Sequence, residues 1–297
     1  MKTDKRLMQA YLKAPVIEFD DEDKFIIFGD VHRGDNSMSD EFAHNQNIYY
    51  YALKDYYNKG YTYIEVGDGD ELWEHAKFSH IRSAHSDAFC ILREFFLEDR
   101  FLLLYGNHNM YLKDPKYVQN NLHEFYDEFL NERSLLFPDI TVYESIILKY
   151  KETGQEFLLL HGHQGDIMND QLWKISMLGL RYFWKFMHVI GLQNPSSPAK
   201  NRIKRHKIEL NFTKWIEKEQ KHIICGHTHR PKFPKQGEVS YFNTGCCIHP
   251  RCINGIEIYN GEIMLVDWRI RPNDLGELRI SKQNIRGPVK IDTFKFT

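Results

Sequence analysis

The sequence has no low-complexity tract, no internal repeat, no apolar run of membrane-spanning length and almost no net charge. Its 39 Lys and Arg nearly balance 41 Asp and Glu, leaving a formal charge of −2, so no global field draws nucleic acid or an anionic membrane. The cysteines Cys90, Cys225, Cys246, Cys247 and Cys252 are odd in number and lack Cys-x-x-Cys spacing. That argues against a disulfide scaffold and for a reducing compartment; the adjacent Cys246-Cys247 reads as buried apolar filler. The first 16 residues are charged and carry no apolar stretch of signal-peptide kind, so nothing points to export and the expected location is cytoplasmic. At 297 residues the chain can bury a full core as one large domain or two modest ones.

What is present is alternation. Short β-rich runs at 25–28, 61–66 and 101–105 are separated by helical stretches near 41–58 and 86–98. A helix is expected over 114–133, then strands near 141–150 and 156–160. After an interruption, strands are expected at 222–225, 240–243, 255–259 and 262–268, joined by turns such as Asn260-Gly261. Alternation followed by a run of strands predicts an α/β core with an antiparallel portion.

The interruption, 169–221, is unusual in composition. From 170 to 192 the chain is dense in Leu, Trp, Ile, Met and Phe, while Lys174, Arg181, Lys185 and His188 fall in one narrow helical stripe. Such a helix has to hide nearly all round, against the body of the protein, a second copy or lipid. Three cations within it argue against a membrane span, which needs about 20 mostly apolar residues. Asn194-Pro195-Ser196-Ser197-Pro198 breaks it, and a second helix follows with a basic start and Ile208, Phe212, Trp215 and Ile216 on one face.

Five polar clusters sit where apolar runs end: Gly29-Asp30-Val31-His32, Gly67-Asp68, Gly106-Asn107-His108, His161-Gly162-His163 and Gly226-His227-Thr228-His229. Among 15 histidines any single one is ordinarily a surface or core residue, and Gly67-Asp68-Gly69 alone reads as a turn. Together, carboxylate, amide and imidazole groups make a ligand set for two divalent cations. Alternate residues of an extended segment share a face, so Asp30 and His32 can meet one ion, and His227 and His229 have the same spacing. Asp68 can bridge, Asn107 offers a carbonyl oxygen and His161 a nitrogen. Paired metals clamp the attacking and leaving oxygens of a displacement at phosphorus and lower the pKa of a shared water. The neighbouring glycines are expected to let substrate and metals approach the backbone. Mixed nitrogen and oxygen donors suit manganese, iron or zinc, with Mn²⁺ preferred. Arg33 and Arg230, beside the ligands, are candidate phosphate contacts.

The ordered set Gly-Asp-Val-His, Gly-Asp-x-x-Glu (Gly67, Asp68, Glu71), Gly-Asn-His, His-Gly-His and Gly-His-Thr-His resembles the calcineurin-like metallophosphoesterase superfamily over residues 25 to about 245. The resemblance implies a four-layer α/β/β/α sandwich of two facing mixed sheets, one domain over 1–297 with the helical insertion 169–221 within it. It assigns Asp30, His32 and His229 to one metal, Asn107, His161 and His227 to the other, and Asp68 to both. His161 is preferred to His163 because it directly ends the apolar run. His108 would stabilise developing charge or protonate the leaving oxygen, with Asn109 near the substrate. Gly-Asp-x-x-Glu, Gly-His-Thr-His-Arg-Pro and the insertion are similar to UDP-2,3-diacylglucosamine pyrophosphohydrolases, in which a helical cap receives acyl chains. The chain departs from that pattern in carrying His108, where those enzymes have arginine. It also has Asn109 where an acidic residue is usual, so no adjacent carboxylate orients the imidazole.

The implied function is hydrolysis of a phosphomonoester, phosphodiester or pyrophosphate bond in a phosphorylated small molecule or lipid-linked substrate. The 170–192 helix would make a peripheral membrane contact or a homodimer. A nuclease on the same scaffold would need a basic groove with stacking aromatics, and outside 202–207 no basic concentration is evident. A non-catalytic interaction module would have degraded ligands or lack His108.

Overall fold

A computed structural model describes residues 2–127, 130–184 and 201–296. In chain order the elements are α1 (Thr3–Lys13), β1 (Val16–Phe19), β2 (Phe25–Phe28), α2 (Gln46–Asn58), β3 (Thr62–Val66), α3 (Phe78–Ala84), α4 (Ser86–Leu97), β4 (Phe101–Leu104) and α5 (Pro115–Leu122). Then come β5 (Glu124–Asp127), β6 (Glu132–Leu135), β7 (Val142–Tyr143), β8 (Ser145–Tyr150), β9 (Glu156–Leu160), α6 (Trp173–Gly179) and α7 (Arg202–Glu219). The chain finishes with β10 (His222–Cys225), β11 (Tyr241–Asn243), β12 (Ile253–Tyr259), β13 (Glu262–Pro272) and β14 (Leu278–Lys290).

Two mixed sheets result. One runs β1-β8-β9-β10-β11, the other β14-β13-β12-β2-β3-β4-β7. Strands β2, β3 and β4 pair in parallel, which requires the crossovers that α2, α3 and α4 supply. The period of two along each strand divides the core. Phe25 and Ile27 face the other sheet with Ile64, Leu148, Leu159 and Ile224, whereas Ile26 and Phe28 face Tyr49, Leu53 and Phe89 of the helices. On β9, Leu159 points between the sheets and Leu158 and Leu160 point outward onto Leu7, Phe212 and Trp215. The molecule is therefore an α/β/β/α sandwich.

Several expectations change. Of the helix expected over 114–133 only α5 forms; Asp114 caps it by accepting from Lys116 N at 3.0 Å, and β5 and β6 then make a two-stranded hairpin. The run 141–150 splits between the sheets, β7 joining one and β8 the other. α7 is the outer layer on the five-stranded sheet beside α1, where Phe212, Trp215 and Ile216, the face expected to be apolar, bury against that sheet. The expected helix over 170–192 is described to residue 184: a π-helical turn (Ile167–Gln171), α6, and a second π-helical turn (Leu180–Trp184). The rest of it and the Asn194–Pro198 break lie outside the described residues. It does not hide all round, since Ile175 is 61% and Tyr182 76% exposed. No helix among the described residues is long and apolar enough to cross a membrane.

His222, at the start of β10, lies between the rings of Phe157 and Phe296, at 4.7 and 4.6 Å. Burial, with Lys221 adding to it, lowers its pKa to about 4. The unfolded chain protonates this group near pH 6.5. Its stability contribution is therefore complete above that pH and is lost as pH falls towards 4, by about 3 kcal/mol at full effect. Chemical denaturation of wild type and His222→Gln between pH 4 and 7.5 is expected to show a shallower pH dependence in the variant. Parallel curves would contradict the assignment.

Candidate metal centre

The five clusters follow the carboxyl ends of β2, β3, β4, β9 and β10 and meet at one edge of the sandwich, where loops rather than ladders hold the chain. The backbone there is unusual. Asp30, His32 and Asp68 have φ of 51°, His229 54° and His227 67°, a region costly for residues other than glycine. Asp30 and His32 thus converge through left-handed turns and not through the extended alternation expected. The loops after β2 and β3 are tied by Asp30 N to Gly67 O (3.1 Å), His32 N to Asp68 O (2.9 Å) and Arg33 N to Gly69 O (2.9 Å).

Two groups of donors result, each with ligand atoms within 4.8 Å of one another: Asp30, His32 and His229, and Asp68, His161 and His227. His229 Nε2 lies 3.1 Å from Asp30 Oδ1, and His161 Nε2 3.0 Å from Asp68 Oδ2. Asp68 stands between the groups, its Oδ2 also 3.9 Å from His32 Nε2. Asp30 Oδ1, Asn107 Oδ1, His161 Nε2 and His227 Nε2 are buried and make no hydrogen bond. Buried polar atoms are rarely left so, and these four are the atoms that two cations would ligate. The residues therefore fit the metals. Outer contacts fix the imidazoles as metal ligands require: His161 Nδ1 donates to Val66 O at 3.1 Å and His32 Nδ1 to Glu71 Oε2 at 2.7 Å. His163 is buried with neither nitrogen hydrogen-bonded, and the donor groups leave it out.

The electrostatics call for positive charge. Burial raises the pKa of Asp30, but the imidazoles of His229 and His161 outweigh it and hold the carboxyl below the usual range. Burial opposes protonation of His229, yet Asp30 pushes it up to about 10. Two buried carboxylates recruit protons onto their histidines, and divalent cations would compete for the same field.

Glu71 is the functional residue whose part the sequence reading missed. It accepts from His32 Nδ1 and, at 2.8 Å through Oε1, from His108 Nδ1. It supplies the orienting carboxylate that Asn109 does not. His32, Glu71 and His108 also form a donor group, but these hydrogen bonds engage both Nδ1 atoms and leave Nε2 of His108 for the cavity. In the sequence Glu71 is visible only as the end of Gly-Asp-x-x-Glu; its reach depends on the loop folding back. Asp166, with no sequence signal, accepts Lys204 Nζ at 2.8 Å and lies 3.9 Å from His227 Nε2.

Two expected substrate contacts go elsewhere. Arg33 is buried, with Glu65 bound bidentately at 2.7 and 2.8 Å and Asp70 at 2.8 Å, so it serves the core and does not reach the cavity. Asn109 is buried and its Oδ1 accepts from Gly106 N at 2.6 Å, which shapes the His108 loop. Arg230 is exposed at the cavity mouth. The glycines make room for ligand residues rather than for substrate: a Cβ at Gly106 would overlap the Asp68 carboxylate, and one at Gly67 (φ +83°) would lie 2.6 Å from His161 Cβ.

The centre opens into a cavity of about 930 Å³. Met168, Ile175, Leu180, Ile248 and Ile285 give it an apolar wall, and Lys204, Arg230 and Arg269 place cations on it.

No family model and no curated protein matches the chain. Among solved structures it is similar to vacuolar protein sorting 29 from Cryptosporidium parvum, at 12% identity and TM-score 0.38 over 89% of this chain and 98% of that one. A cold-active protein tyrosine phosphatase gives 10% identity and TM-score 0.38 over 92% and 83%. A candidate 5'-nucleotidase from Staphylococcus aureus, solved with alpha-ketoglutarate, gives 12% and 0.35, covering 87% of this chain and 52% of that one. Likenesses this loose carry no argument, and the functional reading rests on the site itself.

Proposed function

We propose that the chain is a metal-dependent phosphoesterase that holds two divalent cations, Mn²⁺ by preference, and hydrolyses a phosphoric ester or pyrophosphate bond. The carrying observation is the pair of donor groups Asp30, His32, His229 and Asp68, His161, His227, in which Asp30 Oδ1, His161 Nε2 and His227 Nε2 are buried and unbonded, as is Oδ1 of Asn107 on the wall of the same cavity. When bound, the cations would polarise phosphoryl oxygens and bring the pKa of a water near neutrality. Asp30 and Asp68 supply the negative charge that retains them, and the buried histidines present Nε2. His108, held through Nδ1 by Glu71, turns Nε2 to the cavity and can stabilise charge on the phosphoryl group or protonate the leaving oxygen. Arg230 and Lys204 can meet a second anionic group on the substrate.

The apolar wall supports a substrate with a bulky apolar portion, such as the lipid-linked pyrophosphate of the diacylglucosamine pyrophosphohydrolases that the motifs resemble. Exposed Ile175, Tyr182 and Ile203 support a peripheral membrane contact or a self-contact for the insertion. The test is hydrolysis of bis-p-nitrophenyl phosphate and p-nitrophenyl phosphate by metal-stripped protein before and after Mn²⁺ is restored. Turnover is expected only after restoration. Absence of both metal uptake and turnover would overturn the reading.

A further inference from the structure

The insertion grips the loops that carry His108 and its orienting carboxylate. Met177 of α6 and Leu180 pack on the buried indole of Trp73. Arg181, in the π-helical turn after α6, donates from Nε to the Trp73 carbonyl at 2.8 Å and from Nη2 to the Leu72 carbonyl at 2.7 Å. Tyr111, three residues past His108, donates its hydroxyl to Met177 Sδ at 3.0 Å. The Trp73 indole in turn stacks on the His108 imidazole, with centroids 4.3 Å apart and planes 22° from parallel. Glu71, which binds Nδ1 of that imidazole, stands two residues before Trp73.

One hydrogen bond through Nδ1 leaves an imidazole free to pivot about that contact. A ring stacked on its face removes the pivot, and the direction of Nε2 is then set. The stacked ring is only as well placed as the 71–73 loop, two of whose carbonyls are held by one planar guanidinium, a pairing that an ammonium could satisfy only in part. π-Helical turns recur at functional positions because they redirect a side chain without ending the helix.

We propose that Arg181 and Trp73 are positioning residues for His108. The insertion fixes the 71–73 loop, and the indole and Glu71 together fix the plane and direction of the imidazole. The proposal rests on the phosphoesterase reading for its catalytic consequence and on geometry alone for the coupling. An ångström of misplacement at a proton donor is enough to lower turnover.

The test has two arms on Arg181→Ala, Arg181→Lys, Trp73→Ala and Trp73→Phe, with Lys174→Ala as a control on the exposed side of α6. In the first arm, kcat and KM are measured with methyl phenyl phosphate and methyl p-nitrophenyl phosphate, which differ only in how much the leaving oxygen needs a proton. Arg181→Ala and Trp73→Ala are expected to lose about 10-fold in kcat on the phenyl ester, a part of what a general acid contributes. The loss should be smaller on the p-nitrophenyl ester, with KM and metal content near wild type. Trp73→Phe, which keeps a stacked ring, should recover most of it, Arg181→Lys part of it, and Lys174→Ala should match wild type. In the second arm, the His108 ring is followed by NMR in protein carrying 13Cε1-labelled histidine and no paramagnetic metal, the signal assigned by its loss in His108→Ala. The indole should hold that signal upfield, and both Trp73→Ala and Arg181→Ala should move it downfield. Equal losses on the two esters, a change confined to KM, or an unmoved signal in Arg181→Ala would overturn the proposal. If the wild type cleaves neither ester and takes up no metal, it is the phosphoesterase reading that fails, and in either case the NMR arm decides the coupling by itself.

Discussion

Asp68→Ala is expected to lose hydrolysis of bis-p-nitrophenyl phosphate by on the order of 10³-fold, the scale on which removing one electrostatic stabiliser lowers turnover. The side chain is buried and stands between both donor groups, with Oδ2 3.0 Å from His161 Nε2 and 3.9 Å from His32 Nε2. Burial raises its pKa, but His161 and His108 outweigh burial and hold it well below the usual carboxylate range, so it supplies charge at any working pH. Its Oδ1 also accepts from His108 N at 2.8 Å. Asp68→Asn separates the two duties: the amide oxygen can keep that hydrogen bond, but the charge is gone. Both variants should bind less metal than wild type. Near-wild-type turnover in Asp68→Asn would mean that the carboxylate does not hold the cations.

Arg33→Ala is expected to give the largest loss of stability, about 3–5 kcal/mol, the usual result when one partner of a buried ion pair is removed. The guanidinium is held by Glu65 and Asp70, receives support from Tyr49 at 3.1 Å, and lies over the Phe89 ring. Truncation strands two buried carboxylates, and Tyr63, which donates to Glu65 at 2.8 Å, cannot compensate for a lost charge. Urea denaturation should show a lower midpoint with an unchanged slope. A midpoint at the wild-type value, with KM raised instead, would return Arg33 to the substrate-binding role suggested by its position beside His32.

These two residues show how far the sequence could be read. Asp68 was legible because its glycines and the preceding apolar run mark the end of a buried strand, and strand ends in α/β sheets are where ligands are bound. Arg33 was misread because adjacency to a ligand says nothing about direction. With Asp30 and His32 at positive φ the loop turns, and the next side chain enters the core. Glu71 was within a recognised motif, but its hydrogen bonds to two histidines depend on tertiary folding of the loop. The central strands were legible from their apolar runs. β14 was not, since most of it is exposed and it carries two Lys and two Arg, as edge strands often do; its partner β13, rather than its own composition, makes it a strand. The sequence from α5 to β6 reads as one helix because a short polar hairpin has no long period to distinguish it.

Two cations held by the two donor groups would lie on either side of the Asp68 carboxylate. The most direct measurement is the electron paramagnetic resonance of metal-stripped protein titrated with Mn²⁺, alongside its metal content. Saturation at two ions per chain is expected, with the signal of an exchange-coupled pair that is lost in Asp68→Ala. Saturation at one ion, or two ions with the uncoupled signal of separate Mn²⁺ centres, would contradict it.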